Sequence, residues 1–308
     1  MKGLDLAEAY YRQHGQPMIA ELFPAFSDRI AAGLVGPGSE CFGFDDQWSR
    51  DHDWGPGFCL WLTDEDYVSI GGALQAAYEG LPDRFMGFGP RLSSPGEEWR
   101  VGVSATGDFF TRLTGLDHPP ECNADWLRIP EHALATCVNG QVFADSLGEF
   151  IRRRRTIDAY YPEDVRLMKI ASRCITIAQS GQYNYPRALQ RGDRFAAEYA
   201  RTQFCTDMIS LVFLLNRRFT PFYKWLLLAV AELPLLGTAV HLQINAILAT
   251  ADARQQAHLM AYMTDQAIQA IKDQGLSDVS SDFLLDHVPA IHAKIDDARL
   301  KQRLTVLP

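Results

Sequence analysis

Two hydrophobic rhythms divide this chain. Up to about residue 150, short apolar runs alternate with turn-forming residues. Beyond it, apolar positions recur every three or four residues over long stretches. In the first part, Leu6, Tyr10 and Tyr11 put one apolar face on a helix over residues 4–20, interrupted by Pro17. Ile30, Ala31 and Leu34 carry helical spacing through residues 22–34, where Gly33 punctuates. The run Phe58-Cys59-Leu60-Trp61-Leu62, bounded by Gly57 and Thr63-Asp64, predicts a central strand buried on both faces. A helix is expected over 64–79, capped by Asp64, with Tyr67, Ile70, Leu74 and Ala77 inward.

Residues 81–95, rich in Gly and Pro, predict a loop. Alternation over 98–105 puts Trp99, Val101, Val103 and Ala105 on one side of a half-buried strand. Short helices are expected at 108–113 and 131–136, and a strand at 141–145 before a turn to Gly148. The second part predicts helices at 162–178, 186–215, 221–233, 236–250, 253–272 and 282–299. The expected fold class is α+β: an α/β domain over 1–150, then an all-helical domain over 151–308.

Composition narrows the function classes. Of 308 residues, 47% are hydrophobic and 22% charged, as in an ordinary globular protein with ample core. A formal charge of -9 argues against a surface that coats nucleic acid. Arg152 to Arg155 form the one basic run, too short and without interleaved aromatics to change that. Six scattered cysteines without a Cys-x-x-Cys pair imply reduced, mostly buried thiols, with neither a disulfide framework nor a zinc site. Residues 1–16 carry Asp5, Glu8 and Arg12 where a signal peptide needs an apolar core. The most apolar stretch, 208–236, is broken by Asn216-Arg217-Arg218, Lys224 and Glu232, so no membrane span is expected, and the expected location is the cytoplasm.

Candidate chemistry concentrates in residues 38–55. Gly38-Ser39 opens the stretch, and Asp51-His52-Asp53 closes it. On an extended backbone, alternate side chains share a face, so both carboxylates would project together. Adjacent carboxylates repel one another unless a cation sits between them, and Mg²⁺ carried with substrate phosphates is the usual remedy. Glycine lets backbone approach a phosphate closely, and Ser39 adds a hydroxyl donor. Asp45 and Asp46, within the loop, are expected to be solvated, and His52 to pack on the opposite face, outside any metal site.

Gly-Ser, a spacer and Asp-x-Asp resemble the signature of the polymerase-β-type nucleotidyltransferases. The longer string Gly-Ser-Glu-Cys-Phe-Gly-Phe-Asp-Asp, followed by Ser-Arg-Asp-His-Asp-Trp-Gly, is similar to the DUF4037 branch. So are Gln-Ser-Gly-Gln-Tyr-Asn and Pro-Phe-Tyr-Lys-Trp further on. The resemblance implies a nucleotidyltransferase-like mixed sheet, with Asp51 and Asp53 as metal ligands for Mg²⁺ or Mn²⁺. It implies a phosphate site at Gly38 and Ser39, near the start of a following helix. It also implies a third carboxylate on a neighbouring strand. The polar positions at the centre of 98–105 are Gly102 and Ser104 instead, which leaves Asp108 and Asp145 as substitutes, Asp145 being equally suited to cap the turn to Gly148.

In the helical part, Gln179, Gln182, Tyr183, Asn184, Arg187 and Arg191 form a polar cluster. Arg187 and Arg191 are four apart, hence on one face, and guanidinium forks suit phosphate oxygens. Lys224, among aromatics and leucines, needs either a counter-charge or an exit to water. Gln182, Asn184, Arg187, Arg191 and Lys224 are therefore candidate nucleotide contacts. The expected activity is transfer of NMP, AMP first, from a triphosphate such as ATP to a hydroxyl of a small molecule or protein. The alternatives are a nucleotide-binding regulator with a decayed centre, and a helical interaction module.

Overall fold

The computed structural model describes residues 1–96 and 98–302. The chain is α+β and divides into two compact units, Met1–Ala159 and Tyr160–Pro308.

The first unit opens with α1 (Gly3–Tyr10), a π-helical turn over Tyr11–Gly15, and α2 (Gln16–Leu22). Four strands follow: β1 (Ala31–Leu34), β2 (Cys59–Leu62), β3 (Gly102–Ala105) and β4 (Gln141–Ala144). They form one mixed sheet in the order β3-β2-β1-β4, with β1 antiparallel to both neighbours and β2 parallel to β3. Among them run α3 (Asp64–Glu79), α4 (Thr106–Thr114), α5 (Asn123–Arg128) and α6 (Glu131–Cys137), and α7 (Glu149–Asp158) closes the unit. The parallel β2–β3 pair needs a crossover, and α3 supplies it.

β2 is buried on both faces. Leu60 and Leu62 belong to a core with Leu6, Tyr10, Phe58 and Leu74, while the Trp61 ring stacks on Phe150 at 3.8 Å and meets Phe109 edge-on. Each such side chain contributes roughly 1.5–3 kcal/mol by leaving water.

Three expectations are corrected in this unit. The helix read over 22–34 ends at Leu22, a turn carries residues 24–29, and Ala31–Leu34 is strand. All four residues of β1 are buried, so no alternation betrayed it. The strand read over 98–105 is a 3₁₀ turn at Glu98–Arg100 followed by β3, which starts at Gly102 with φ +94°; the Glu98 side chain lies outside the described residues. The cap of α3 is Thr63, whose hydroxyl accepts from the Asp66 N–H, one residue before the expected Asp64.

Among the described residues, every regular element of the second unit is a helix. It comprises α8 (Glu163–Ile177), a π-helical segment Ala178–Asn184, α9 (Tyr185–Gln190), α10 (Arg194–Leu215), α11 (Leu226–Val230), α12 (Gly237–Ala249), α13 (Ala253–Asp273), α14 (Leu284–Ala293) and α15 (Ala298–Lys301). The single helix expected over 186–215 breaks at Gly192, φ +69°, after which the Asp193 carboxylate caps α10 through the Ala196 N–H. Buried Arg166 ties α8 to both α10 and α13, donating to the Leu214 carbonyl and to Gln274. The helix expected over 282–299 is likewise two helices, and the Asp164 carboxylate accepts from Asp296 and Asp297 N–H in the break.

Candidate functional site

The connection from β1 to β2 carries the Gly-Ser and Asp-x-Asp motifs, and two buried carboxylates fix its shape. Gly38 precedes a 3₁₀ turn, Ser39–Phe42, which left-handed Gly43 terminates. The helix expected behind Gly38-Ser39 is therefore a single turn. A Cβ at Gly38 would fall 2.4 Å from a Glu40 carboxylate oxygen. The bare backbone there makes room for Glu40, which Arg91 holds at 2.8 Å; both side chains are nearly inaccessible. Asp45, expected in solvent, is buried: its Oδ2 accepts from the Gly3 N–H and the Trp54 indole N–H, and Lys2 stands 3.4 Å from Oδ1. Asp46 does face water, and caps the 3₁₀ turn Trp48–Arg50 through the N–H groups of Trp48 and Ser49.

The Asp51–Asp53 segment is not extended, and its two carboxylates do not share a strand face. Asp51 continues the 3₁₀ turn in the right-handed region, while Asp53 sits at φ +53° ahead of Gly55 at φ +137°. Asp51 is 67% exposed and accepts from its neighbour His52, which is exposed too. Asp53 is 5% exposed. Its Oδ1 accepts from the Ser94 N–H at 3.1 Å and its Oδ2 from the Ser94 hydroxyl at 2.9 Å, while Arg100 approaches to 3.5 Å. Burial alone would push the Asp53 carboxyl up; the Ser94 hydrogen bonds and the Arg100 and Arg91 charges outweigh it and hold it below the ordinary carboxylate value.

These residues do not fit a two-metal centre as they stand. One carboxylate is already matched by a guanidinium, and the other faces away into water. Among the described residues no group of three or more His, Cys, Asp or Glu side chains is placed to hold a metal ion. The substitutes for the third carboxylate are engaged or remote from that role: Asp108 is exposed in the first turn of α4, and Asp145 caps α7 through the Gly148 and Ile151 N–H groups.

The residues that the structure does bring together lie in the second unit. A groove of about 490 Å³ opens where the π-helical segment and α9 face the first turns of α10. Asn184, Arg187 and Arg191 line it, joined by Gln179, Phe195, Tyr199 and Gln203. The Arg187 guanidinium lies 4.6 Å over the Tyr183 ring and donates to its hydroxyl. Phe195 and Tyr199 are 81% and 65% exposed, and their rings lie within 24° of parallel with centroids 6.5 Å apart. Beneath them a buried network holds one wall: Gln203 donates to Asp207, Asp207 pairs with Arg173, and Arg173 donates to the Ser210 hydroxyl.

Two of the expected nucleotide contacts are elsewhere. Gln182 braces a loop, donating to the Asp282 carbonyl and accepting from the Leu284 N–H. Lys224 is exposed in the 3₁₀ turn Tyr223–Trp225, where its ammonium reaches water as its apolar neighbourhood requires. The aromatic pair and Gln203 were missed by the sequence reading. Their signal was a step of four residues, 195, 199 and 203, that continues the 187 and 191 pair.

The molecule is thus an α+β protein with a small mixed sheet in one unit and, in a helical one, a groove lined by two arginines and two exposed aromatic rings. Residues 126–226 match the family model DUF4037, described as a domain of unknown function, and this stretch contains every residue that lines the groove. The Gly-Ser and Asp-x-Asp motifs lie before it. No curated protein matches the chain. Among the described residues no helix is long and apolar enough to cross a membrane.

Proposed function

We propose that this is a nucleotide-binding protein whose binding does not depend on a metal ion and is not followed by turnover. One observation carries the reading: two guanidiniums one helical turn apart and a parallel pair of exposed aromatic rings line a single groove. Guanidinium forks match phosphate oxygens, and aromatic faces stack on bases. The loop of the first unit agrees with this reading, because Arg100 already supplies the positive charge that a cation would bring to Asp53. The compartment we propose is the cytoplasm, in keeping with six free cysteines.

The test is calorimetric titration with ATP, once in EDTA and once with Mg²⁺. Binding should survive EDTA. Arg187→Gln with Arg191→Gln should weaken it by about 100-fold or more, since two charge-assisted hydrogen bonds at about 1.5–3 kcal/mol each are lost. Unchanged affinity in that double variant would sink the reading.

A second reading is Mg²⁺- or Mn²⁺-dependent transfer of AMP from ATP to a hydroxyl on a small molecule or a protein. It is favoured by the placement of Gly38, Ser39, Asp51 and Asp53 on the one connection between antiparallel central strands, with Asp51 open to solvent. Acceptor labelling from α-³²P-ATP that disappears in Asp51→Ala with Asp53→Ala would establish it and displace the first.

A further inference from the structure

Gln203 stands on the wall of the groove, and its amide is not free to turn. Its NH₂ donates at 2.9 Å to Asp207 Oδ2. Asp207 is 3% exposed, and its other oxygen lies 3.6 Å from the Arg173 guanidinium, which is itself fixed by the Ser210 hydroxyl. An ionised carboxylate is acceptor-only, so the amide nitrogen must face it. The edge of Gln203 left for a ligand is therefore its carbonyl oxygen with the second amide N–H beside it, the pair that matches an amino group next to a ring nitrogen on adenine. One turn earlier on α10 stands Tyr199, and one turn before that Phe195, so the acceptor follows directly on the ring-stacking surface. The opposite wall is π-helical over Ala178–Asn184, a winding found mostly as single turns at functional sites.

We propose that the groove selects nucleotides whose base carries an exocyclic amino group, with adenine nucleotides as the preferred class. This deepens, and rests on, the reading of the groove as a nucleotide site. A base stacked on Tyr199 and Phe195 would donate its amino hydrogen to the Gln203 carbonyl while its phosphates meet Arg187 and Arg191. A base with a carbonyl at the same place sets two acceptors against each other and loses that hydrogen bond. Sites built on such a hydrogen bond discriminate strongly against the analogue that lacks it. Asp207 is here a positioning residue that acts through Gln203.

The experiment compares ADP with inosine diphosphate, two probes that differ at one ring position, by calorimetry in EDTA. ADP should bind at least tenfold more tightly. Asp207→Asn replaces an acceptor-only carboxylate with an amide that can present either its oxygen or its NH₂, and so allows the Gln203 amide to turn over. That variant should narrow the ratio to about threefold or less while still binding ADP, an outcome that a merely structural Asp207 would not give. Gln203→Leu should weaken ADP and leave inosine diphosphate within about twofold. Circular dichroism melts confirm that each variant is folded, and Gln203→Leu, at a partly exposed wall, keeps the test open if Asp207→Asn unfolds. Equal affinity for the two diphosphates in the parent protein overturns the proposal while leaving nucleotide binding intact. Binding of neither removes the reading beneath it.

Discussion

Replacing Arg91 with leucine removes the cation from an ion pair that water barely reaches, the side chains of Arg91 and Glu40 being 6% and 2% exposed. Burial works against the Arg91 charge, and the nearby Glu40 carboxylate more than restores it, so the guanidinium is held above its ordinary value. The carboxylate left behind in Arg91→Leu has no water to turn to. Gly38 lies directly against it, and Arg91 is the partner that its Oε1 loses. Breaking one side of a buried pair costs about 3–5 kcal/mol, whereas replacing both sides by apolar groups is often near neutral. Arg91→Leu should thus lower the stability of the first unit by about 3–5 kcal/mol, roughly 6–20 °C in melting temperature for a unit of this size. The double variant, with Glu40→Leu, should recover most of that loss; the Arg91 Nε, buried without a hydrogen-bond partner, makes its removal cheaper still. Urea denaturation of the four proteins closes the cycle. A cost below about 1 kcal/mol for Arg91→Leu, or single losses that simply add, would refute the reasoning.

Two further outcomes follow from contacts already described. Because the Asp53 carboxyl is held below its unfolded value, its stabilising effect is complete above the ordinary carboxylate range and is lost as pH falls through the folded value; Asp53→Asn should lower stability at neutral pH and flatten the acid limb of a stability–pH profile. In the π-helical segment a Cβ at Gly181 would meet the buried Phe204 ring at 2.2 Å, so Gly181→Ala should destabilise the second unit by about 1–3 kcal/mol, seen as a lower urea midpoint with unchanged slope.

Much of the first unit was legible because local signals agreed. The apolar run that ends at Leu62, then Thr63 and three acids, could only be a buried strand entering a helix, and β2 with α3 is what forms. The errors came where one signal stood for two structures. Ile30, Ala31 and Leu34 are spaced for a helix face, yet a fully buried strand needs no spacing at all. The extended reading of Asp51–Asp53 rested on alternation over three residues, while Asp53-Trp54-Gly55-Pro56 behind it was a turn sequence that should have weighed more. Likewise Arg191-Gly192-Asp193 is a helix stop followed by a cap, hidden inside a longer periodic run.

The candidate site was half readable. Arg187 and Arg191 were found because helical spacing depends on neighbours in the chain. The roles of Gln182 and Lys224 were not, because whether a polar side chain braces a loop, reaches water or faces a ligand is decided by partners distant in sequence, here residues 282 and 284 for Gln182.

The wide turn at Ala178–Asn184 also sets a phase. A π segment holds one more residue than ordinary winding needs over the same rise, so the azimuth of everything downstream depends on that surplus. Wound at ordinary pitch, the same 7 residues would turn α9 about 100° further around its axis. Asn184, Arg187 and Arg191 would then face a different quarter of the unit while Phe195 and Tyr199 stayed put. The pairing of charge with ring is thus encoded by a count of residues as much as by their kinds.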